Sequence, residues 1–462
     1  MKNTIRFLQL FLLTLLSFTL FLHATISYTP FLLHPYSLSC AFSLLIIFIL
    51  RKPKPIYLLN YSCYLPPPRL KTTIESAEVF LRRSEKFTNE SVEFMRNIFL
   101  KSGLGGETYA PAFIADNNPT PSLSSAVEEA RDGVFATVDS VLKKSRVDSD
   151  LIDVVIVTSG GFSPSPSLSS EVVRRYDLRS DVKTFNLSGM GCSSGVLSID
   201  LAANILRGNR KIQYILVVIS ESITSNWYSG DNRSMLVTNC IFRVGCAAAL
   251  LTNDPNRRLS AKAELTHSLR THHGSDDSSY RAAFQEEDSE NITGVSLTKD
   301  LIRVAATNLR RHIRTLAPSV LPLSELLHYL YSSGAAVMAA TRGETKTYVP
   351  DFTKAFEHIC IHTGGKAVIE QVSRVLKFDG SVTEPARMTL HRFGNTSSSM
   401  VFYEMAYFEA KRRIKSGDRM WMLAFGTGFK VGSLVWRWAR DSGEEEDNPW
   451  NDCIDKYPVY IN

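Results

Sequence analysis

The sequence predicts an α/β protein of two similarly folded halves, preceded by an apolar N-terminal hairpin. Three observations predict it. Apolar, β-branched runs alternate with amphipathic helical stretches. A strand–turn–helix unit recurs about 204 residues later in the chain. Residues 7–50 contain no Asp, Glu, Lys or Arg.

Residues 7–50 as one helix would span roughly 66 Å, against a hydrocarbon core of about 30 Å, so two crossings fit. "SYTP" at 27–30 supplies the break. Lys2 and Arg6 precede the run and Arg51, Lys52 and Lys54 follow it, which predicts both termini on the cytosolic side. A cleaved secretory signal would account for residues 1–25 but not for "CAFSLLIIFIL" at 40–50. The predicted organisation is a transmembrane hairpin over 1–55 and a linker and lead-in segment over 56–95. A first half over 96–300, a second half over 301–440 and a tail over 441–462 follow. "YLPPPRLK" at 64–71 is a proline-stiffened linker, and "DNNPTPSLSSA" at 116–126 a loop leading into a helix.

Seven cysteines, widely spaced and without a CxxC pair, exclude a disulfide framework and a zinc site, so no metal is expected. The sequons at Asn89, Asn186, Asn232 and Asn291 matter only in a lumen, against which the charge flanks argue. A net charge of +6 suits a membrane surface or an anionic small molecule and is too small for nucleic acid. "QEED" (285–288) and "GEEED" (443–447) read as solvated surface, and "AKRRIK" (410–415) as a last helical turn. The tail ending "NPWNDCIDKYPVYIN" carries no motif with a chemical reading.

The repeat organises the remainder. "LIDVVIVTSGG" (151–161) resembles "AFEHICIHTGG" (355–365), 204 positions on. "SGMGCSSGVLSIDLA" (188–202) matches "HRFGNTSSSMVFYEMA" (391–406) at an offset of about 203, and "QYILVVISES" (213–222) maps onto "RMWMLAFGTG" (419–428). This alignment sets Cys192 opposite Asn395 and Thr158 opposite His362. Two equivalent turns would then bring a Cys, a His and an Asn to one junction.

Gly189 and Gly191 allow a sharp turn before Cys192, and a helix follows, ending near Gly208. A thiol at a helix N-terminus is expected to have a lowered pKa, and the N–H groups there could hold an oxyanion. Alone, Cys192 reads equally as a buried small hydrophobe, His362 as a satisfied core histidine, and Asn395 as a helix N-cap. Together they suit enolate chemistry, because a neutral Asn stands where a hydrolytic triad often has a carboxylate.

At these residues the chain resembles the plant 3-ketoacyl-CoA synthases, and more distantly the chalcone synthase and thiolase superfamily. "GLGGETYAP" (103–111), "NWYSGDNRSMLVTNCIFRVG" (226–245), "RTHHGSDDSSYRAAFQEED" (270–288), "FEHICIHTGGKAVI" (356–369) and "RMTLHRFGNTSSS" (387–399) carry the resemblance. "GVSLTKDL" (294–301) and "LPLSE" (321–325) add to it, and it runs to about residue 437. It implies a thiolase-like fold of two pseudo-symmetric βαβαβαββ-type halves. It implies decarboxylative condensation of malonyl-CoA with a long-chain or very-long-chain acyl-CoA, with Cys192 as nucleophile and His362 and Asn395 stabilising the enolate. His272, His358 and His391 match further family histidines and are carried over as site-shell residues. Gly426 and Gly428, in "FGTG", match a glycine loop that closes the site. Ser194, Cys246 and His273 depart from the family pattern, the latter two where packing or an acyl tunnel would feel it.

The resemblance also implies acyl-CoA and malonyl-CoA as substrates with no further cofactor, and a homodimer. It places the protein in the endoplasmic reticulum membrane, its catalytic part facing the cytosol. There it would work beside a ketoacyl-CoA reductase, a hydroxyacyl-CoA dehydratase and an enoyl-CoA reductase. The alternatives are a thioesterase or thiolase using the same Cys192, with Cys360 as a second thiol, and a non-catalytic elongase subunit.

Overall fold

The structure, a computed structural model, describes residues 54–116, 120–209, 211–340 and 348–460. The expected transmembrane hairpin falls on residues outside these. Among the described residues no helix is long and apolar enough to cross a membrane. The chain divides after Lys54, and all elements below belong to the unit Pro55–Asn462.

Nine strands among the described residues form one mixed sheet. They are β1 (Tyr57–Cys63), β2 (Val154–Thr158), β3 (Lys183–Leu187), β4 (Tyr214–Glu221), β5 (Gly245–Thr252), β6 (Ala263–His272), β7 (His358–Ile361), β8 (Arg419–Gly426) and β9 (Lys430–Trp438). Their order is β7-β8-β9-β6-β1-β5-β4-β2-β3. In the first half β2 runs parallel to β4, while β5 and β1 add antiparallel. The second half repeats this, with β7 parallel to β8 and β9 and β6 added antiparallel. The halves join where Tyr57 pairs with Glu264 and Leu58 with Ala263. Residues 57–63, read as linker, are therefore a central strand, and the second half takes its first strand from residues 263–272, before 301. Both differences share one cause. Each half needs an antiparallel strand supplied from upstream in the chain, and hydrophobic alternation alone does not say which sheet a strand joins.

The labelled helices are α1 (Ile74–Arg83), α2 (Asn89–Lys101), α3 (Leu123–Ser145), α4 (Ser194–Gly208), α5 (Arg233–Ile241), α6 (Leu301–Val320), α7 (Lys366–Leu376), α8 (Glu384–Phe393) and α9 (Met400–Ala410). Ser122 caps α3 by accepting from Ser125 N–H at 3.1 Å, as the loop reading of 116–126 expects. α3 packs on β5 and β1, and α6 on β9 and β6. α4 and α9 are buried almost all round, as helices of a central layer must be. α4 belongs to the first half yet touches strands of both. A Cβ on Gly432 of β9 would come within 2.7 Å of Val196 Cγ1 on α4.

The repeat is real, but its register shifts along the chain. β2 and β7 begin 204 residues apart, β4 and β8 205, and α4 and α9 206. Gly191 (φ 55°) and Ser397 (φ 56°) share a left-handed backbone, so Cys192 corresponds to Ser398. The expected pairing of Cys192 with Asn395 is off by three residues. It matched Gly191 to Gly394, but Gly394 ends α8, a helix that stands where the first half has the edge strand β3. Thr158 does correspond to His362, each directly following or closing the equivalent strand.

The tail closes the core behind α8 and α9. Trp450 is fully buried, its ring 5.0 Å from that of Phe393 and 4.8 Å from that of Tyr407, and its indole N–H donates to Tyr403 O at 3.0 Å. "GEEED" is only partly solvated: Lys262 Nζ, buried, donates to Glu445 at 2.6 Å and to Glu409 at 2.5 Å. The ammonium compensates the buried Glu409 and the partly buried Glu445, which makes its own burial and that of Glu409 tolerable. α9 stops at Ala410, so most of "AKRRIK" lies past the helix; Arg413 instead pairs with Glu384 at 3.0 Å.

Candidate active site at the junction of the halves

Cys192 is delivered by a turn that its neighbouring glycines favour. Gly189 (φ 67°) and Gly191 (φ 55°) take left-handed conformations, and residues 191–193 form a tight turn into α4. A Cβ on Gly191 would lie 2.8 Å from Thr427 N. The loop after β8 is pressed against it: a Cβ on Gly426 would come within 2.3 Å of Met190 O. Gly428 (φ 92°) lines the cleft beside this loop.

The opposing turn comes from the second half. Ser397 Oγ lies 3.4 Å from Cys192 Sγ and 3.3 Å from Glu221 Oε2. Asn395 Oδ1 accepts from Ser397 N–H at 2.8 Å, and its main chain is pinned to the first half by Arg243 N–H at 2.9 Å and Ile241 O at 3.0 Å. Asn395 thus stands one residue contact behind the thiol. His362 follows β7, where its main-chain N–H donates to Leu423 O at 2.8 Å. Among the described residues no hydrogen bond joins its ring to Cys192 or Asn395.

Glu221 was not singled out in the sequence. It ends β4, otherwise an apolar strand, and its carboxylate accepts from Gly160 N–H at 2.7 Å, Gly161 N–H at 3.0 Å and Ser159 Oγ at 3.0 Å. A Cβ on Gly160 would sit 2.3 Å from Glu221 Oε2 and one on Gly161 2.5 Å from Asn226 Oδ1, so the first glycine makes room for the carboxylate and the second for Asn226. The one available signal was an acid closing an apolar strand of a parallel pair, where α/β proteins place their sites.

Electrostatics reverse one expectation. Burial pushes the Cys192 thiol up to about 11, with the Glu221 carboxylate adding and the Ser397 hydroxyl partly offsetting. The desolvation of a half-buried thiolate outweighs the helix terminus, worth only ~1 kcal/mol. Burial likewise raises Glu221 and holds His362 down at about 4. At neutral pH the thiol is protonated and the imidazole is uncharged.

Cys192 lines a cleft at the junction of the two halves. Its polar lining includes His272, Lys430, Gln285 and Asn226. His272 Nδ1 accepts from Gly274 N–H at 3.1 Å, and burial and nearby Lys430 and Arg270 lower its pKa. The other two shell histidines are elsewhere. His358 opens β7 at the end away from His362, about 13 Å along the strand, and pairs with Asp418 at 2.8 Å. His391 bonds Tyr457 OH at 2.9 Å through Nδ1, bracing α8 against the tail. The family resemblance carried both over as site-shell residues, but His358 opens the strand that His362 follows, and His391 on α8 turns to the tail. Ser194 opens α4 with a buried hydroxyl that has no partner. Cys246 packs under α3, 3.6 Å from Thr137 Oγ1, and His273 bonds Thr271 Oγ1 at 3.0 Å. Neither lines the cleft.

Residues 48–336 match the family profile described as FAE1/type III polyketide synthase-like protein. Residues 353–438 match that of the C terminal of 3-oxoacyl-[acyl-carrier-protein] synthase III. The 3-ketoacyl-CoA synthase 17 of Arabidopsis thaliana is 44% identical over 419 residues, covering 90% of this chain and 85% of that one. The 3-ketoacyl-CoA synthase 11 of the same plant is 45% identical over 422 residues, covering 90% and 82%. The chain belongs to the 3-ketoacyl-CoA synthase family. Its fold agrees with this: the type III polyketide synthase domain of Steely1 from Dictyostelium superposes with a TM-score of 0.62 at 19% identity, over 83% of this chain and 99% of that domain. The thiolase-like architecture of this family is what sets its two helix-opening turns against each other at Cys192.

Proposed function

We propose that this chain condenses a long-chain or very-long-chain acyl-CoA with malonyl-CoA to a 3-oxoacyl-CoA, CO2 and CoA, the first step of fatty-acid elongation. The observation that carries the reading is Cys192, held on a glycine turn in a cleft at the junction of the halves and touched by Ser397 from the opposing turn. In this reading Cys192 Sγ attacks the acyl thioester carbonyl. His362, uncharged because it is buried, accepts the thiol proton and returns it to the departing CoA thiolate. Malonyl-CoA then loses CO2, and His362 and Asn395 donate to the oxygen of the resulting enolate. The enolate carbon attacks the acyl-cysteine carbonyl, and the Cys192 thiolate leaves. Main-chain N–H groups around Gly426 and Gly428 complete the oxyanion site. Lys430 in the cleft lining suits the phosphates of CoA.

The apolar run at residues 7–50 supports anchoring in the endoplasmic reticulum membrane with the catalytic part cytosolic, beside the reductases and dehydratase that complete elongation. Protease protection in sealed microsomes tests that orientation, and cross-linking tests the homodimer and its neighbours. The chemical test is purified protein with acyl-CoA and radiolabelled malonyl-CoA. Labelled 3-oxoacyl-CoA is expected. Free fatty acid and CoA without chain growth would instead make it a thioesterase.

A further inference from the structure

α6 and the helix that follows it, Leu323–Ala340, are separated only by Leu321 and Pro322, and they expose opposite chemistries. The second helix is amphipathic in reverse. Glu325, its only acidic residue, turns inward and is 1% exposed. The carboxylate accepts from Lys354 Nζ at 2.5 Å, Tyr348 OH at 2.6 Å and Asp351 N–H at 3.0 Å. Leu323, Leu327, Leu330 and Tyr331 are instead 70, 57, 65 and 79% exposed. Spaced four, three and one residues apart, they share one face of the helix, opposite Glu325. No Asp, Glu, Lys or Arg occurs from 326 to 341.

Single exposed leucines need no explanation, but an apolar face held outward by a buried carboxylate is a feature of the fold. Turning the helix over would bury the leucines and strip Glu325 of its three donors. α6 exposes the complementary chemistry. It buries Val304, Leu309, Ile313 and Leu316 and presents Arg303, Arg310 and Arg314 to solvent. Arg303 pairs with Asp300 at 3.1 Å, whereas among the described residues Arg310 and Arg314 have no ion pair. Apolar side chains that enter the acyl boundary, with cations left at headgroup level, are what an anionic lipid surface binds.

We propose that the Leu323–Ala340 helix lies on a bilayer surface, with Leu323, Leu327, Leu330 and Tyr331 entering it and Arg310 and Arg314 on anionic headgroups. The proposal rests on the reading of residues 7–50 as a membrane anchor. Six residues, 51–56, separate that run from β1, so on this reading β1 begins within about 25 Å of the bilayer. A tether that short gives a surface contact an effective concentration on the order of millimolar, so a weak contact suffices. A second copy of the chain fits this face less well. A stable interface takes roughly 20–30 residues a side, and a two-fold contact would carry the same arginines on both sides.

The test is photolabelling of the full-length protein in phosphatidylcholine vesicles, with and without phosphatidylserine, from a phospholipid bearing a diazirine in its acyl chain. Peptide mapping is expected to find label in residues 323–331 as well as in 7–50. Label in 7–50 alone would overturn the surface contact and leave the anchor standing. Label in 323–331 alone would break the anchor reading and keep the contact, and label in neither would break both. Leu327→Glu combined with Leu330→Glu should lower the 323–331 label about tenfold or more, with no change in sedimenting mass. A fall in that mass, with the unmutated chain unlabelled at 323–331, would make the face an interface between copies and overturn the proposal. If the double variant does not fold, the label on the unmutated chain decides. Arg310→Gln combined with Arg314→Gln should lower the label about tenfold in anionic vesicles and leave it unchanged in neutral ones. Equal label of the unmutated chain in both kinds of vesicle would overturn the role given to the arginines.

Discussion

The turns that open α4 and α9 have one backbone and two tasks. Gly191 and Ser397 take nearly the same left-handed φ, 55° and 56°, and each leads into a short tight turn and a buried helix. The first turn exposes Cys192 to the cleft, while Ser398, its counterpart, is 2% exposed with an unpartnered hydroxyl. At the left-handed position the first half has glycine, which adopts it freely, and the second has serine, which is strained there by about 1–2 kcal/mol. The strain accompanies a hydroxyl within reach of both Cys192 and Glu221. The doubled scaffold thus presents a thiol to the cleft from one turn and a hydroxyl beside that thiol from the other.

Variants that erase or exchange this difference separate the two tasks. The largest effect is expected for Cys192→Ala, which should leave no acyl-enzyme by intact-mass analysis and no labelled 3-oxoacyl-CoA. Condensation surviving in that variant would mean another nucleophile. Gly191→Ala comes next. Its methyl meets Thr427 N at 2.8 Å in a left-handed backbone, so the turn and the loop after β8 must part. A displacement near 1 Å at the thiol should lower kcat about 100-fold, and a variant within threefold of the parent would show the contact to be slack.

The second turn should respond more mildly and in a different currency. Ser397→Ala and Ser397→Gly both remove the hydroxyl beside the thiol, so each should slow acylation about tenfold, the worth of one good hydrogen bond. Only glycine relieves the backbone, so Ser397→Gly should unfold about 1 kcal/mol later than Ser397→Ala in urea. Equal stabilities would show that the φ of 56° carries no strain.

The smallest effect is in pH. His362 is held at about 4 and the Cys192 thiol at about 11. Acylation should therefore fall only as pH drops through about 4, with no inflection near 6.5. An inflection there would mean a solvated imidazole. Stability follows the same group. Because the fold lowers the pKa of His362 below its unfolded value, the unfolded chain binds more protons between about pH 6.5 and 4. Stability is then complete above 6.5 and declines as pH falls through that window, by at most about 1.4 kcal/mol per unit. His362→Gln should flatten the decline.

Much of the plan was legible in residue order. β-Branched runs ending in paired glycines announced β2 and β7, and their spacing announced two halves. Gly189 and Gly191 announced the turn at Cys192. The three-residue slip between Cys192 and Asn395 was not legible, because Gly394 looks like the glycine of a turn until α8 is seen to end on it. Glu221 was hidden because its meaning comes from Gly160, Gly161, Ser159 and Ser397, which lie far from it in the chain. His358 and His391 came from the family resemblance, and their bonds to Asp418 and Tyr457 could not be read from residue order. Trp450 was unreadable for a similar reason, since its partners on α8 and α9 precede it by tens of residues.

By itself the sequence determined the α/β class, the doubled architecture, the family and the glycine turn that carries Cys192, since these rest on local periodicity, glycine conformation and motif identity. The tertiary structure alone decided the burial that raises the Cys192 thiol's pKa and the company of Glu221. Desolvation and cavity shape depend on which distant side chains close over a group, and residue order does not contain that until the two halves have packed.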